Sequence, residues 1–279
     1  MKIPRLVSPR ILNHILLSCV EALPKPYRKF IYRYCKMYAY HYEGANPNIE
    51  KDGELLVIKQ CIPYCNIVFD VGANRGGWTK YVLAHNPKVK LHCFEPSIPT
   101  FEKLLSQDFP KNVVCNNFGL SSSDGKATMF IFSEGADINS LHPPSDLLHF
   151  GIKSQEKKEI VTLRTLDDYC WKENIQAVDY LQIDVEGHEL EVLRGSKEML
   201  KQERIGIIQF EYADCNIDSR VFLKDLFGIF QGSPYEFYKI LPMGVLPVPE
   251  YSKEFENFQY SNWLVIHKGH KVLTSLKIW

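Results

Sequence analysis

One stretch constrains the fold of this chain more than any other: Ile67-Val68-Phe69-Asp70-Val71-Gly72-Ala73-Asn74-Arg75-Gly76-Gly77-Trp78-Thr79. An apolar run ends in an acid, turns through glycines and opens into a helix-like segment, the arrangement that holds a nucleotide-type ligand at a strand end. About twenty residues later, Lys88-Val89-Lys90-Leu91-His92-Cys93-Phe94-Glu95-Pro96 closes a second apolar run with a carboxylate, placed to receive two ribose hydroxyls. Together the two segments predict a ligand that carries an adenosine.

From residue 65 onward strand and helix signals alternate, the signature of a parallel sheet covered by helices on both faces. The pattern predicts strands at 66–71, 89–94, 112–116, 179–184 and 205–211, with helices at 76–85, 97–107 and 188–201. An antiparallel insertion is expected from 127–132 and 159–163, which flank a long polar loop at 133–158. Thr165-Leu166-Asp167-Asp168 has capping-box spacing and starts a short helix, and 237–241 with 263–267 read as a closing hairpin. Ligands of such sheets sit beyond the carboxyl ends of the strands, so Asp70, Glu95, Asp184 and Glu211 are expected to converge on one cleft.

Formal net charge is zero, which gives no global case for nucleic acid as a partner, but the charge is uneven. Residues 1–40 hold eight Lys and Arg against the single acid Glu21, and the remainder carries the equal and opposite surplus. We therefore expect a basic helical extension at 1–48, broken at Leu23-Pro24-Lys25-Pro26, ahead of an α/β domain at 49–279. Its tyrosine-rich second helix either packs on the main domain or offers a surface to anionic lipid or a lipid-linked acceptor. No run of about 18 apolar residues is present. A faint signal-peptide likeness at 11–20 is interrupted by Asn13 and His14 and lacks a small-residue cleavage site before Pro24. Eight scattered cysteines show neither disulfide nor zinc-ribbon rhythm and read as reduced thiols, with Cys61 and Cys65 as packing. The expected location is the cytoplasm, with peripheral contact to the inner face of a membrane as an option for the N-terminus.

The glycine turn sets the type of ligand. Dinucleotide enzymes use G-x-G-x-x-G, in which the middle glycine lets the backbone approach a pyrophosphate, and here that position is Asn74. Asp70, directly before the turn, would repel a pyrophosphate but suits an ammonium group. S-adenosylmethionine, with an adenosine, a sulfonium and an amino-acid end, meets both conditions.

The ordered set Phe69-Asp70-Val71-Gly72-Ala73-Asn74, Phe94-Glu95-Pro96, Thr165-Leu166-Asp167-Asp168 and Ile183-Asp184-Val185-Glu186-Gly187-His188-Glu189 resembles the FkbM family of methyltransferases. Leu190-Glu191-Val192-Leu193-Arg194-Gly195-Ser196 and Ile208-Gln209-Phe210-Glu211 add to the likeness, which is strong over 65–214 and extends weakly to 268. The resemblance implies a class I, Rossmann-like seven-stranded sheet with helices on both faces, S-adenosylmethionine as donor, and O-methylation of a sugar or natural-product hydroxyl. It also implies that Asp70, Gly72 and Asn74 form the donor turn, that Glu95 holds the ribose, and that the adenine lies near Asn116, Asn117 and Phe118. Arg75, Gly77 and His188 depart from the family's usual residues.

Asp184-Val185-Glu186-Gly187-His188-Glu189 is the expected catalytic edge. Methyl transfer to an alcohol needs in-line alignment and removal of a proton. Asp184 is expected to contact the acceptor or the transferred methyl, with His188 or Glu186 as general base. No tight metal-ligand spacing occurs, so no metal is expected. Asn139, Ser140 and His142, within Asp137-Ile138-Asn139-Ser140-Leu141-His142-Pro143-Pro144, are candidates for a lid over a sugar, glycan or small-molecule acceptor. The alternatives are N-methylation of an amine, an NAD-linked oxidoreductase of similar sheet, and a scaffold of the same fold that binds no acceptor.

Overall fold

The computed structural model describes residues 9–131, 139–142, 157–274 and 276–278. The chain divides into two compact units, Met1–Glu43 and Gly44–Trp279. The first unit contains the helices Pro9–Glu21 and Lys25–Tyr42; Pro24 and Pro26 separate them, with Pro26 in the first turn, where a missing N–H costs nothing.

In the second unit the strands are β1 (Ile67–Val71), β2 (Lys90–Phe94), β3 (Val113–Asn116), β4 (Gly119–Leu120), β5 (Gly125–Ile131), β6 (Lys157–Arg164), β7 (Val178–Ile183), β8 (Ile205–Tyr212), β9 (Tyr235–Leu241), β10 (Gly244–Pro247) and β11 (Ser261–His267). Eight of them form one sheet in the order β10-β9-β11-β8-β7-β1-β2-β3. The pairs from β8 through β7, β1 and β2 to β3 are parallel, and β11, β9 and β10 add antiparallel ladders. The second sheet, β4-β6-β5, contains the predicted antiparallel insertion.

Side chains of a strand alternate between faces, and the buried central strands divide accordingly. Phe69, Val71, Leu181, Ile183, Ile208 and Phe210 enter one core with Leu166, Tyr169 and Leu190. Val68, Leu91, Tyr180 and Ile207 enter the other with Val57, Ile58 and Val82, which come from the helices Glu54–Cys61 and Gly77–His85. By the same alternation Asp70, Gln182 and Gln209 belong to this second face, beneath those two helices.

The Rossmann-like sheet expected from the sequence is present, with eight strands where seven were expected; β10 is the addition. The predicted closing hairpin is an antiparallel pair, Trp263 opposite Lys239, but the chain turns through β10 first and β11 returns between β8 and β9. The single helix expected at 188–201 is two, Glu189–Arg194 and Lys197–Lys201. The break is at Gly195 and Ser196; at Gly195 a Cβ would lie 2.0 Å from the carbonyl oxygen of Ser121, so only glycine lets the two backbones pass. The helix Glu54–Cys61 is not foreshadowed by any sequence signal noted above. Thr165 caps its helix as predicted, accepting from the Asp168 N–H at 3.1 Å. Phe132, Asp137, Ile138, Pro143 and Pro144, and most of the loop 133–158, lie outside the described residues. Among the described residues no cysteine is in a disulfide, and no helix is long and apolar enough to cross a membrane.

Candidate active site

The turn after β1 is wound by three left-handed residues, Gly72 (φ +88°), Asn74 (φ +46°) and Gly76 (φ +79°). Asparagine is among the few side chains that enter this region at small cost, so Asn74 keeps the turn that glycine would otherwise make. Gly72 is required by contact as well: a Cβ there would stand 1.7 Å from the Asp184 carbonyl oxygen, and its absence lets the turn press against the end of β7. Asn74 N donates to Glu95 Oε2 at 3.1 Å, and Ser97 N donates to Glu95 Oε1 at 2.9 Å. Each carboxylate oxygen retains acceptor capacity for one more donor. Burial pushes the Glu95 carboxyl up to about 7, against those two hydrogen bonds.

Two cavities meet at the carboxyl ends of the parallel strands. The first, about 350 Å³, is lined by Asn74, Glu95, Thr100, Leu141, Glu186 and His188 among others. The second, about 390 Å³, is lined by Asn48, Glu54, Asp70, Trp78 and Gln182. Asp184 and Gly72 line both. Asp70 is buried, with Oδ2 accepting from Thr79 Oγ1 at 2.6 Å; burial pushes its carboxyl up to about 7, and the charge of Asp184 adds to the effect. Glu54 is pushed up to about 8 by burial and then by Asp52 and Asp184. It accepts from Gln209 Nε2 at 2.5 Å, and Gln209 in turn accepts from the Tyr180 hydroxyl.

The predicted catalytic edge is a second strained turn, with Glu186 at φ +53° and Gly187 at φ +94°. Glu189 Oε1 holds it from below, accepting from Val185 N and Gly187 N at 3.2 Å each. Ser140 Oγ donates to the Glu186 carbonyl at 2.8 Å, so part of the expected lid loop does reach the site. His188 is bracketed: Nε2 meets Ser121 Oγ at 2.9 Å and Nδ1 meets His142 Nε2 at 3.2 Å. Burial, and then the neighbouring His142, lowers its imidazole to about 4, so the ring is neutral near pH 7.

Asp70, Gly72, Asn74, Glu95, Asp184, Glu186 and His188 are thus brought to two adjoining cavities. Asn117 instead secures the bend after β2, where its Nδ2 donates to the carbonyls of Glu95 and Pro96 at 3.0 and 3.2 Å. Phe118, also expected at the adenine, is buried against Phe94 and Tyr169 in the core. Thr100, Gly119 and Leu120 line the first cavity, and Asn117 and Phe118 do not. Glu211 lies near Asp184, Glu186 and Glu189, and burial with these like charges raises its carboxyl. The ligand atoms of Glu186, Glu211 and Cys215 fall within 4.8 Å of one another and could converge on a metal ion. Burial and the surrounding acids push the Cys215 thiol up, away from the thiolate a metal would need.

Sequence reasoning missed Glu54, Trp78, Thr100, Gln182 and Glu189. For Trp78 and Glu189 a signal existed, since each stands in the first turn of the helix that follows a functional turn. Trp78 Nε1, Thr100 Oγ1 and Gln182 Oε1 are buried without a hydrogen-bond partner among the described residues, and all three line the cavities. Buried polar atoms of this kind call for a polar ligand.

Residues 70–228 match the model of the methyltransferase FkbM domain. The chain is 28% identical over 148 residues to the hexuronic acid methyltransferase AglP of Haloferax volcanii, a match covering 52% of this chain and 55% of that protein. It is 26% identical over 157 residues to the 2-O-methyltransferase NoeI of Sinorhizobium fredii, covering 53% and 63%. It therefore spans little more than half the length of these relatives. Among solved structures, an FkbM methyltransferase from Methylobacillus flagellatus KT superposes with a TM-score of 0.45 at 14% identity, over 72% of this chain and 43% of that one.

Proposed function

The chain belongs to the FkbM family of methyltransferases, and from that premise we propose that it transfers a methyl group from S-adenosylmethionine to a hydroxyl of a sugar, glycan or related metabolite. The observation that carries this reading is Asp184, which stands at the junction of the two cavities, between the acids Glu54 and Asp70 of the second and the Glu186 and His188 wall of the first. The names of the two curated relatives, one specifying a hexuronic acid and the other a 2-O position, favour a carbohydrate hydroxyl.

The residues fit the donor. Glu95 has acceptor capacity left for a ribose diol, and Thr100 Oγ1 and Trp78 Nε1 offer polar atoms otherwise unpartnered among the described residues. Asp70, Glu54 and Asp184 surround the second cavity with carboxylates suited to an ammonium group. Bound there, the donor supplies a methyl group made electrophilic by a sulfonium.

On the acceptor side, Asn139, Leu141, Glu186 and His188 form the wall of the first cavity. Both ring nitrogens of His188 are engaged, so in this reading His188 positions the turn and Glu186 takes the hydroxyl proton. The like charge of Glu211 favours proton uptake at that carboxylate cluster. Asp184 would orient the hydroxyl and Glu186 would take up its proton as the oxygen gains the methyl, while the methyl–sulfur bond of the donor breaks with its electron pair left on sulfur as a neutral thioether.

Incubation with methyl-labelled S-adenosylmethionine and a panel of neutral and uronic-acid oligosaccharides tests the reading. The expected product carries label that survives mild alkali, as an ether does. Alkali-labile label would mean ester formation on a carboxylate, and label on nitrogen would mean an amine acceptor; either result replaces the proposal.

A further inference from the structure

The helix Lys25–Tyr42 contains no buried residue and no acid. At 100° per residue its side chains divide into a mainly apolar and a mainly basic face. Tyr27, Phe30, Ile31, Tyr34, Met37 and Tyr38 fall on one face together with His41, while Lys25, Arg28, Lys29, Arg33 and Lys36 fall on the other together with Tyr32 and Tyr40, with Arg28 and Arg33 at its margins. The apolar face is bare: Tyr27 is 62% exposed, Phe30 68% and Met37 63%. The preceding helix Pro9–Glu21 adds Ile15, Leu16 and Leu17, all more than half exposed.

A helix of 18 residues gains little stability in water unless one face is covered. What covers this one must accept aromatic and aliphatic side chains along its length and cations along both edges. An anionic bilayer surface does so: the apolar face enters the headgroup and acyl boundary, tyrosines settle at the polar interface, and Arg28 and Arg33 reach the phosphates from the margins. Single-stranded nucleic acid fits less well. Base stacking and phosphate neutralisation need aromatic and basic side chains on the same face; here only Tyr32 and Tyr40 stand among the cations, Tyr40 already beneath Lys36, while Tyr27, Phe30, Tyr34 and Tyr38 lie opposite them. The charge distribution adds direction, because the negative surplus lies beyond residue 40 and an anionic surface would repel that part of the chain.

We infer that Lys25–Tyr42 lies flat on a bilayer of anionic phospholipid, holding the protein there peripherally. This does not depend on which acceptor is methylated, or on methyl transfer at all.

The test is co-sedimentation of the full chain with vesicles of phosphatidylcholine mixed with phosphatidylglycerol, against vesicles of phosphatidylcholine alone. Selective pelleting with the mixed vesicles is expected, and it should weaken as salt rises. The combined substitution Arg28→Glu, Lys29→Glu and Arg33→Glu should lower vesicle affinity by roughly a hundredfold. Phe30→Ser with Tyr34→Ser and Met37→Ser should lower it about tenfold or more. S-adenosylmethionine affinity, a property of the other unit, should not change in either variant. Equal affinity of the unaltered protein for both vesicles overturns the inference whether or not the variants fold. So does retention by both variants, or tighter binding to single-stranded RNA than to the mixed vesicles.

Discussion

The backbone nitrogen of Asn74 donates to Glu95 Oε2 at 3.1 Å, which makes the turn after β1 and the acid after β2 one mechanical unit. Asparagine at this position therefore has a conformational role as well as a selective one. It holds φ at +46° and presents its N–H to the Glu95 carboxylate. The two backbone N–H groups of Asn74 and Ser97 fix the carboxylate in place, so in the proposed reading a ligand spends little on ordering it.

Glu95→Gln keeps the size of the side chain, removes the charge that strengthens hydrogen bonds to a diol, and replaces one of the two oxygens that accept from Asn74 N and Ser97 N with an amide nitrogen that cannot accept. Affinity for S-adenosylmethionine should fall about tenfold or more, while thermal unfolding moves by no more than a few degrees. Titration calorimetry with S-adenosylmethionine and a melting curve on the same preparation check both halves.

Asp70 sets stability against binding. Its folded carboxyl is raised from 3.8 to about 7, so between these values the unfolded chain has released a proton that the folded chain retains. The contribution of Asp70 to stability is therefore lost as pH rises through this window, and the loss is complete above about 7. Asp70→Asn lacks this loss. It should melt with the wild type near pH 4 and above it at pH 8, by about 1–3 kcal/mol after relaxation and hydration are allowed for. Its donor affinity should be low at every pH. That of the wild type should rise with pH toward neutrality as Asp70 and Glu95 ionise, which melting and binding measured across pH would show.

Much of the site was legible because the sheet's topology converts strand ends into neighbours. Asp70, Glu95 and Asp184 each follow an apolar run, and parallel pairing of β1 with β2 and β7 places them around one opening. Other contributions came from elements with weak signals. Glu54 is in an eight-residue helix whose acid looks solvent-facing in sequence, yet it is buried beside Gln209, 155 residues away. Asn117 sits at the expected strand end, but its amide is engaged by two carbonyls, a local detail that no spacing encodes. The reason for glycine at position 195, between the two helices that follow the Glu186–Gly187 turn, is the Ser121 backbone passing it, a contact remote in sequence.

Gly72→Ala should damage the protein more than Gly77→Ala. At Gly72 a Cβ would meet the Asp184 carbonyl oxygen at 1.7 Å in a left-handed conformation, whereas at Gly77 nothing lies within 4 Å. Loss of about 3 kcal/mol or more, or failure to fold, is expected for the first and a neutral or slightly stabilising effect for the second. Comparable denaturant midpoints for the two variants would contradict this account of the turn.

The roles of Glu186 and His188 separate by kinetics. If Glu186 receives the acceptor's proton, Glu186→Gln removes that function with little change in shape, and kcat should drop by about 10² to 10⁴ while donor affinity holds. His188 bridges Ser121 and His142 from a buried position and is already neutral near pH 7, so His188→Gln should act by loosening the wall. Its signature is a raised KM for the acceptor, a smaller fall in kcat and an unchanged pH profile, because no titrating base has been lost. The reverse pattern, a collapsed kcat and a lost pH dependence in His188→Gln beside a near-normal Glu186→Gln, would transfer the proton to the histidine. It would also require the bond to Ser121 or to His142 to open during turnover, since in the structure neither ring nitrogen has room for an acceptor hydroxyl.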